Sequence, residues 1–292
     1  MIFDRITKKM HFSSPETIIL FVTMVFIIIV LSILLPDTFF SLRNFQSMTY
    51  QIPEFGLLAL AMMIAMITGG IDLSVIATAN LSGILAALVM TNYITPETGE
   101  MQVILYIIIP AIIATLGTML FYSGIGMAIT NGIGVVGFPK QFLAIGSGKF
   151  LIFPIPLIVF FIVIVIVSLI LDKTLFGQQV YLLGTNPIAA RFSGINNDIV
   201  LIKTYILTGF LAGISSIIMI SRVNSAKVGY GSTYLLQAIL VVVLGGVNPN
   251  GGHGKIFGVI VGILMLQILQ SAFTLFGFSP VSYTHLRAHE TS

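Results

Sequence analysis

Apolar residues run in blocks along the chain, with short polar stretches between them. Crossing hydrocarbon takes roughly 20 apolar residues in a helix. Residues 17–35 meet that length and stop at Pro36. Residues 55–68 are apolar but short and end at Gly69-Gly70; residues 75–90 resume after the break. A polar acidic loop, TNYITPETGEMQ, covers 91–102 and is followed by an apolar run at 103–122. Residues 123–150 mix glycine with short apolar pieces, and 151–171 are a strong span. The longest polar segment is 172–200. Then come 201–220, rich in small residues suited to close helix contact, the short 234–246 ending at Gly245-Gly246, and 256–278. The pattern predicts an all-α, polytopic transmembrane bundle of about eight apolar segments. Two of these, 55–68 and 234–246, are too short to cross alone and break at Gly-Gly, a hint of interrupted helices near a translocation path. The same glycine pairs equally fit loops at the membrane surface.

Composition agrees. The 292 residues are 57% hydrophobic and 8% charged, where a soluble domain carries about a quarter charged. A net charge of +3 is too small and too dispersed to argue for nucleic acid. There are no cysteines, and His11, His253, His285 and His289 form no ligand cluster, so no metal or cofactor is expected. The basic, polar start, 1–16, leads into the first span without a cleavage signal, which predicts a retained helix with its amino end in the cytoplasm. At 66–75, MITGGIDLSV, the pair Gly69-Gly70 can end a helix cheaply. Asp72 or Ser74 can cap the helix that restarts near Val75. An ionisable group at such a break is a capping residue at the membrane boundary or a functional one within it.

Four stretches resemble the permease subunits of bacterial monosaccharide ABC importers, the ribose/xylose/arabinose-type group that includes autoinducer-2 permeases. They are TGGIDLSV at 68–75, IPAIIATLGTMLFYSGIGMAIT at 109–130, GTNPIAARFSGINND at 184–198 and AILVVVLGGVNPNGGHGKIFGVIVGILML at 238–266. They follow one another in the expected order. The resemblance implies a permease domain over 17–280 that is not itself an enzyme. Its implied partners are ATP-binding-cassette ATPase subunits, a second permease subunit (the same or related) and an extracytoplasmic sugar-binding protein, all at the bacterial inner membrane. No Gly-x-x-x-x-Gly-Lys-Ser/Thr loop is present, so ATP would be bound by another chain. Gly69, Gly70, Asp72, Ser74, Thr115 and Thr118 are the candidates for the translocation path. The polar hydroxyls and amides of the spans suit a neutral solute, and the apolar stretches show no buried cation to meet an anionic one.

The segment 172–200 is the expected cytoplasmic coupling loop. Asn186 can cap a short helix with Pro187 at its first position. Ile188, Ala189, Ala190 and Phe192 would form a small apolar face, Arg191 would meet an acidic rim, and Gly194 would end the helix. Such a helix fits a groove on an ATPase subunit; it also fits the headgroup layer of a membrane. VNPNGGHGKIFG at 247–258 is expected to be a tight turn between two close helices, with Lys255 as a cytoplasmic anchor.

Two features depart from the family. The interval from Ser74 to Ala114 is short, and strict alternation of the spans would put 172–200 on the wrong side of the membrane. Either about one helix is missing relative to the family, or 123–150 crosses partially. The end, VSYTHLRAHETS at 281–292, is abruptly polar and is expected to be a non-native tail. The competing function is an ion-coupled secondary transporter in which Asp72 would carry the ion.

Overall fold

The computed structural model describes residues 15–69 and 119–277. The helices are α1 (Pro15–Leu34), α2 (Pro36–Phe39), α3 (Leu42–Ile67), α4 (Met119–Thr130), α5 (Lys140–Ser147), α6 (Ile155–Lys173), α7 (Leu175–Thr185), α8 (Pro187–Phe192), α9 (Asn197–Val223), α10 (Ser232–Leu244) and α11 (Ile256–Leu275). Two antiparallel two-residue ladders accompany them. β1 (Val135–Val136) pairs with β4 (Ser225–Ala226), and β2 (Lys149–Phe150) pairs with β3 (Phe153–Pro154). Among the described residues α1, α3, α6, α9 and α11 are long and apolar enough to cross a membrane.

The short span expected at 55–68 is corrected. It is the inner half of α3, a helix of 26 residues that starts at Leu42, where the Ser41 hydroxyl accepts from the Asn44 N–H at 3.2 Å. At 1.5 Å per residue α3 is about 39 Å long. The apolar run starts only at Phe55 because Asn44, Gln51 and Glu54 interrupt the half before it. Their partners lie on helices more than 160 residues away: Ser271 Oγ donates to Asn44 Oδ1 (2.6 Å), Gln267 Nε2 to Gln51 Oε1 (3.3 Å), and Arg222 to Glu54. α3 is buried without interruption from Ile52 to Ile67 and is packed by α6, α9, α10 and α11. It is the hub of the main apolar core, which takes side chains from all five helices. The outward faces of α1 (Val22, Phe26, Ile29) and α6 (Phe161, Val165, Leu169) stay exposed and apolar, as faces turned to hydrocarbon must be.

The chain gathers at two ends. At one, α3 closes at Gly69, whose φ of +86° favours glycine. There Gly252 donates its N–H to the Ile67 carbonyl at 2.8 Å. A Cβ on Gly184 of α7 would overlap the same carbonyl and sit 2.5 Å from the Gly252 nitrogen; one on Gly251 would sit 2.7 Å from the Gly69 nitrogen. Gly258 of α11 packs against the Gly245 carbonyl and against Thr17 of α1 in the same manner. The glycine-rich stretch at 247–258 is thus a tight turn between two close helices. At the other end the β1–β4 ladder and α5 cover the end of α9, and the β2–β3 hairpin lies at the start of α6. Asn224 Oδ1 accepts from the Phe138 N–H (3.1 Å), and the Tyr50 hydroxyl donates to the Ser147 carbonyl (3.2 Å).

The segment 172–200 can be placed relative to the other described elements. Through Gly184 and Ile67, and through Gly258 and Thr17, that segment shares an end with the start of α1. Residues 135–154 lie at the opposite end. Gly70, Asp72, Ser74, Thr115, Thr118 and the tail at 281–292 lie outside the described residues.

Gly184→Ala is expected to destabilise the protein by about 1–3 kcal/mol, the usual cost of overpacking, lowering the melting temperature in detergent. Among the described residues nothing lies within 4 Å of a Cβ placed on Gly124 of α4. Gly124→Ala should be neutral or stabilising by up to ~1 kcal/mol. Equal melting temperatures for the two variants would contradict this packing.

Candidate functional site

Local capping chemistry builds the surface element at the glycine-rich end. α7 begins at Thr174, whose hydroxyl accepts from the Gly177 N–H at 3.1 Å. Asn186 then leaves the helix in an extended conformation, and its Oδ1 accepts from the N–H groups of Ile188 and Ala189, each at 3.0 Å. Pro187 occupies the first position of α8, where a missing N–H costs nothing. The helix closes at Gly194, φ +82°. Gly194 donates to the Arg191 carbonyl and Ile195 to the Ala190 carbonyl, both at 3.1 Å, which satisfies the final carbonyls. Six residues are thereby fixed without tertiary help.

Asn186, Pro187, Ala189, Arg191 and Gly194 are therefore brought together as expected from the sequence. The single apolar face is not seen. Ala190 is buried, whereas Ile188 (70% exposed) and Phe192 (89% exposed) stand one turn apart on the outward side. Arg191 lies between two surface hollows. One, of about 380 Å³, is lined by Gly194, Ile195 and Asn196–Asp198; the other, of about 470 Å³, is lined by Pro187, Ile188, Phe192 and Asn197. Asn197 Nδ2 donates to the Pro187 carbonyl at 2.8 Å, tying α8 to the first residue of α9. Asn196 caps α9, accepting from the Ile199 N–H at 3.2 Å. The Tyr181 hydroxyl of α7 donates to the Gly254 carbonyl at 2.8 Å. Burial first, then the Asp172 charge, push this hydroxyl up to about 12. It stays protonated at neutral pH, and its contribution to stability, full below about 10, is lost only as pH rises through about 12.

The polar cluster at the opposite half of α3 went unseen in the sequence. Glu54 has no exposed surface. Arg222 of α9 grips it with two hydrogen bonds, Nε to Oε1 and Nη2 to Oε2, the latter at 2.7 Å. The Tyr234 hydroxyl of α10 donates to Oε2 at 3.1 Å, and Ser215 Oγ donates to the Glu54 carbonyl at 2.6 Å. The cation of this cluster, Arg222, is partly exposed and already paired with a carboxylate. α9 runs past residue 220 to Val223 and carries Arg222 with it. Glu54 and Arg222 each sit beside an apolar run and read as boundary residues. Each is a charge in a region of few charges, which is the signal that could have paired them.

Removing one partner of a buried pair strands the other and costs about 3–5 kcal/mol. Arg222 keeps 31% of its side chain exposed, so Glu54→Gln should lie at the lower end, about 3 kcal/mol. Adding Arg222→Gln should restore part of the loss. Thermal unfolding in detergent reads both. A double variant less stable than the sum of the two singles would contradict the pairing.

Comparisons with known proteins follow the same lines. A family model described as "Branched-chain amino acid transport system / permease component" matches residues 103–287. The ribose import permease protein RbsC of Bacillus subtilis (strain 168) is 34% identical over 297 residues, covering 93% of this chain and 89% of its own. RbsC of Escherichia coli (strain K12) is 34% identical, covering 88% and 86%. The autoinducer 2 import system permease protein LsrD of Yersinia enterocolitica is 30% identical over 242 residues, covering 76% and 73%. No solved structure matches the chain. With five described helices able to span a membrane and relatives matched over nearly its whole length, the chain belongs to the branched-chain amino acid transport system permease family as a multi-pass, all-α membrane permease.

Proposed function

We propose that the protein is the membrane subunit of an ATP-driven importer for a monosaccharide or a related neutral, polyhydroxylated solute. The names of the ribose and autoinducer 2 import permeases support this class of solute. So does the chemistry of the described spans. Arg222 is neutralised by Glu54, which leaves hydroxyls and amides to meet a passing solute. Weak contacts of that kind let a solute leave. The domain reading is a cytoplasmic segment at 1–16, a permease domain over 17–280 and a cytoplasmic coupling loop at 172–200. ATPase subunits, a second permease subunit and an extracytoplasmic solute-binding protein complete the assembly, and ATP hydrolysis belongs to the ATPase subunits. Gly69, Gly70, Asp72, Ser74, Thr115 and Thr118 are kept as candidates for the path.

The observation that carries the proposal is α8. A six-residue helix set between α7 and α9 holds Ile188 and Phe192 outward beside Arg191. In water that arrangement wastes apolar surface; in the groove of an ATPase subunit it is an anchor pair with a polar rim. Its attachments suit a lever. Movement of α8 passes directly to α9 through Asn197 and, by way of α7, to α3 through Gly184.

Truncating an interface anchor costs about 2 kcal/mol or more, roughly 30-fold in Kd. Phe192→Ala is therefore expected to weaken binding of the ATPase subunit by that factor and to lower ATP-dependent uptake with it. Phe161→Ala, on the outward face of α6, should leave both unchanged. Co-purification of the ATPase subunit and uptake into vesicles check this. Undiminished ATPase binding by the Ile188→Ala/Phe192→Ala double variant would overturn the coupling role.

A further inference from the structure

The β2–β3 hairpin carries the sequence Lys149-Phe150-Leu151-Ile152-Phe153-Pro154, with Phe150 opposite Phe153 and Leu151-Ile152 as its tip. Among the exposed large apolar side chains described, only Phe192 is more open than Leu151 (85%) and Ile152 (84%). The turn is closed against local preference. Leu151 sits at φ +57°, a left-handed conformation that side chains other than glycine, asparagine and aspartate resist. Two-residue hairpins ordinarily use Asn-Gly or Asp-Gly there. A strained turn with an apolar tip gains nothing in water, and strain of this kind persists where the surroundings repay it.

The hairpin's position says what those surroundings are. It is rooted on α6: the Ile155 N–H donates to the Gly148 carbonyl at 3.0 Å. α6 has 19 residues, about 28 Å, close to the roughly 30 Å of a hydrocarbon core. With Asp172 and Lys173 at one boundary, Ile155 lies at the other. The tip is three residues further, within about 10 Å of that boundary. On α6 itself, Phe161, Val165 and Leu169 form an exposed apolar stripe. Charge fits as well. From 131 to 171 the sequence has two lysines, Lys140 and Lys149, and no aspartate or glutamate. A lysine at the root of an apolar tip can reach lipid phosphates while the tip enters the acyl region.

We propose that the β2–β3 hairpin is a membrane anchor: Phe150, Leu151, Ile152 and Phe153 insert into the acyl–headgroup boundary of the leaflet remote from α8, with Lys149 on the phosphates. The anchor fixes the height of α6 in the bilayer and steadies the far end of the bundle against movements delivered at α8. It rests on the protein's being embedded in a membrane, independently of which solute it carries.

The chain contains no tryptophan, so one introduced indole reports its own position. Ile152→Trp is placed in the full chain, in vesicles of phosphatidylethanolamine and phosphatidylglycerol, with lipids brominated near the top of the acyl chain. Phe161→Trp serves as the lipid-exposed reference and Phe192→Trp as the water-exposed one. The expected result is that bromolipid quenches Ile152→Trp as strongly as Phe161→Trp, while aqueous iodide quenches it far less than Phe192→Trp. Phe150→Trp repeats the measurement should Ile152→Trp not fold. Iodide quenching without bromolipid quenching overturns the proposal. So does protection that appears only when the solute-binding protein is added, which would make the tip a protein-docking surface.

Discussion

Backbone meets backbone where α3 ends. The Ile67 carbonyl accepts from Gly252 and lies against Gly184 with no room for a Cβ. Three parts of the chain distant in sequence, the close of α3, the end of α7 and the turn between α10 and α11, meet here main chain to main chain. Side chains can change rotamer to absorb a displacement; main chain locked by its own hydrogen bonds cannot. A push on α8, joined to α7 through Asn186, therefore reaches α3 at once. Everything assigned to the loop at 172–200 depends on this contact.

At the other half of α3 the connection is polar. Glu54 is held by Arg222 and Ser215 of α9 and by Tyr234 of α10. The desolvation that makes a lone carboxylate intolerable here also makes the pairing specific, since another register of α9 against α3 would leave both charges without partners. α9 is thus fastened near its start to α8, through Asn197, and near its end to α3. Two helices of 26 and 27 residues are joined directly by an ion pair at one end, and at the other only by way of α7 and α8. The bundle between them is a frame suited to carrying motion from one membrane face to the other.

What the sequence disclosed follows the range of the forces. α8 and its limits were legible because Asn186, Pro187 and Gly194 act on their own neighbours. The membrane class was legible because it is a property of composition. The true extent of α3 was not. Asn44, Gln51 and Glu54 look like loop residues until Ser271, Gln267 and Arg222 are placed beside them, and that placement is tertiary. The outward and inward sides of α8 were likewise merged into one face, because only the packing of Ala190 separates it from Ile188 and Phe192. The end that 172–200 shares with the start of α1 could not come from counting spans. It came from the contacts of Gly184 with Ile67 and of Gly258 with Thr17.

The central claim is that α8 and the end of α3 move as one body. The chain has no cysteine, so spin labels at Ser193→Cys and Asn250→Cys, both exposed positions, would report a single distance across the junction. Measured in the assembled importer without nucleotide and with a non-hydrolysable ATP analogue, that distance should be the same in both states. A distance that shifts or splits when nucleotide binds would show α8 moving past α3 and would contradict the account.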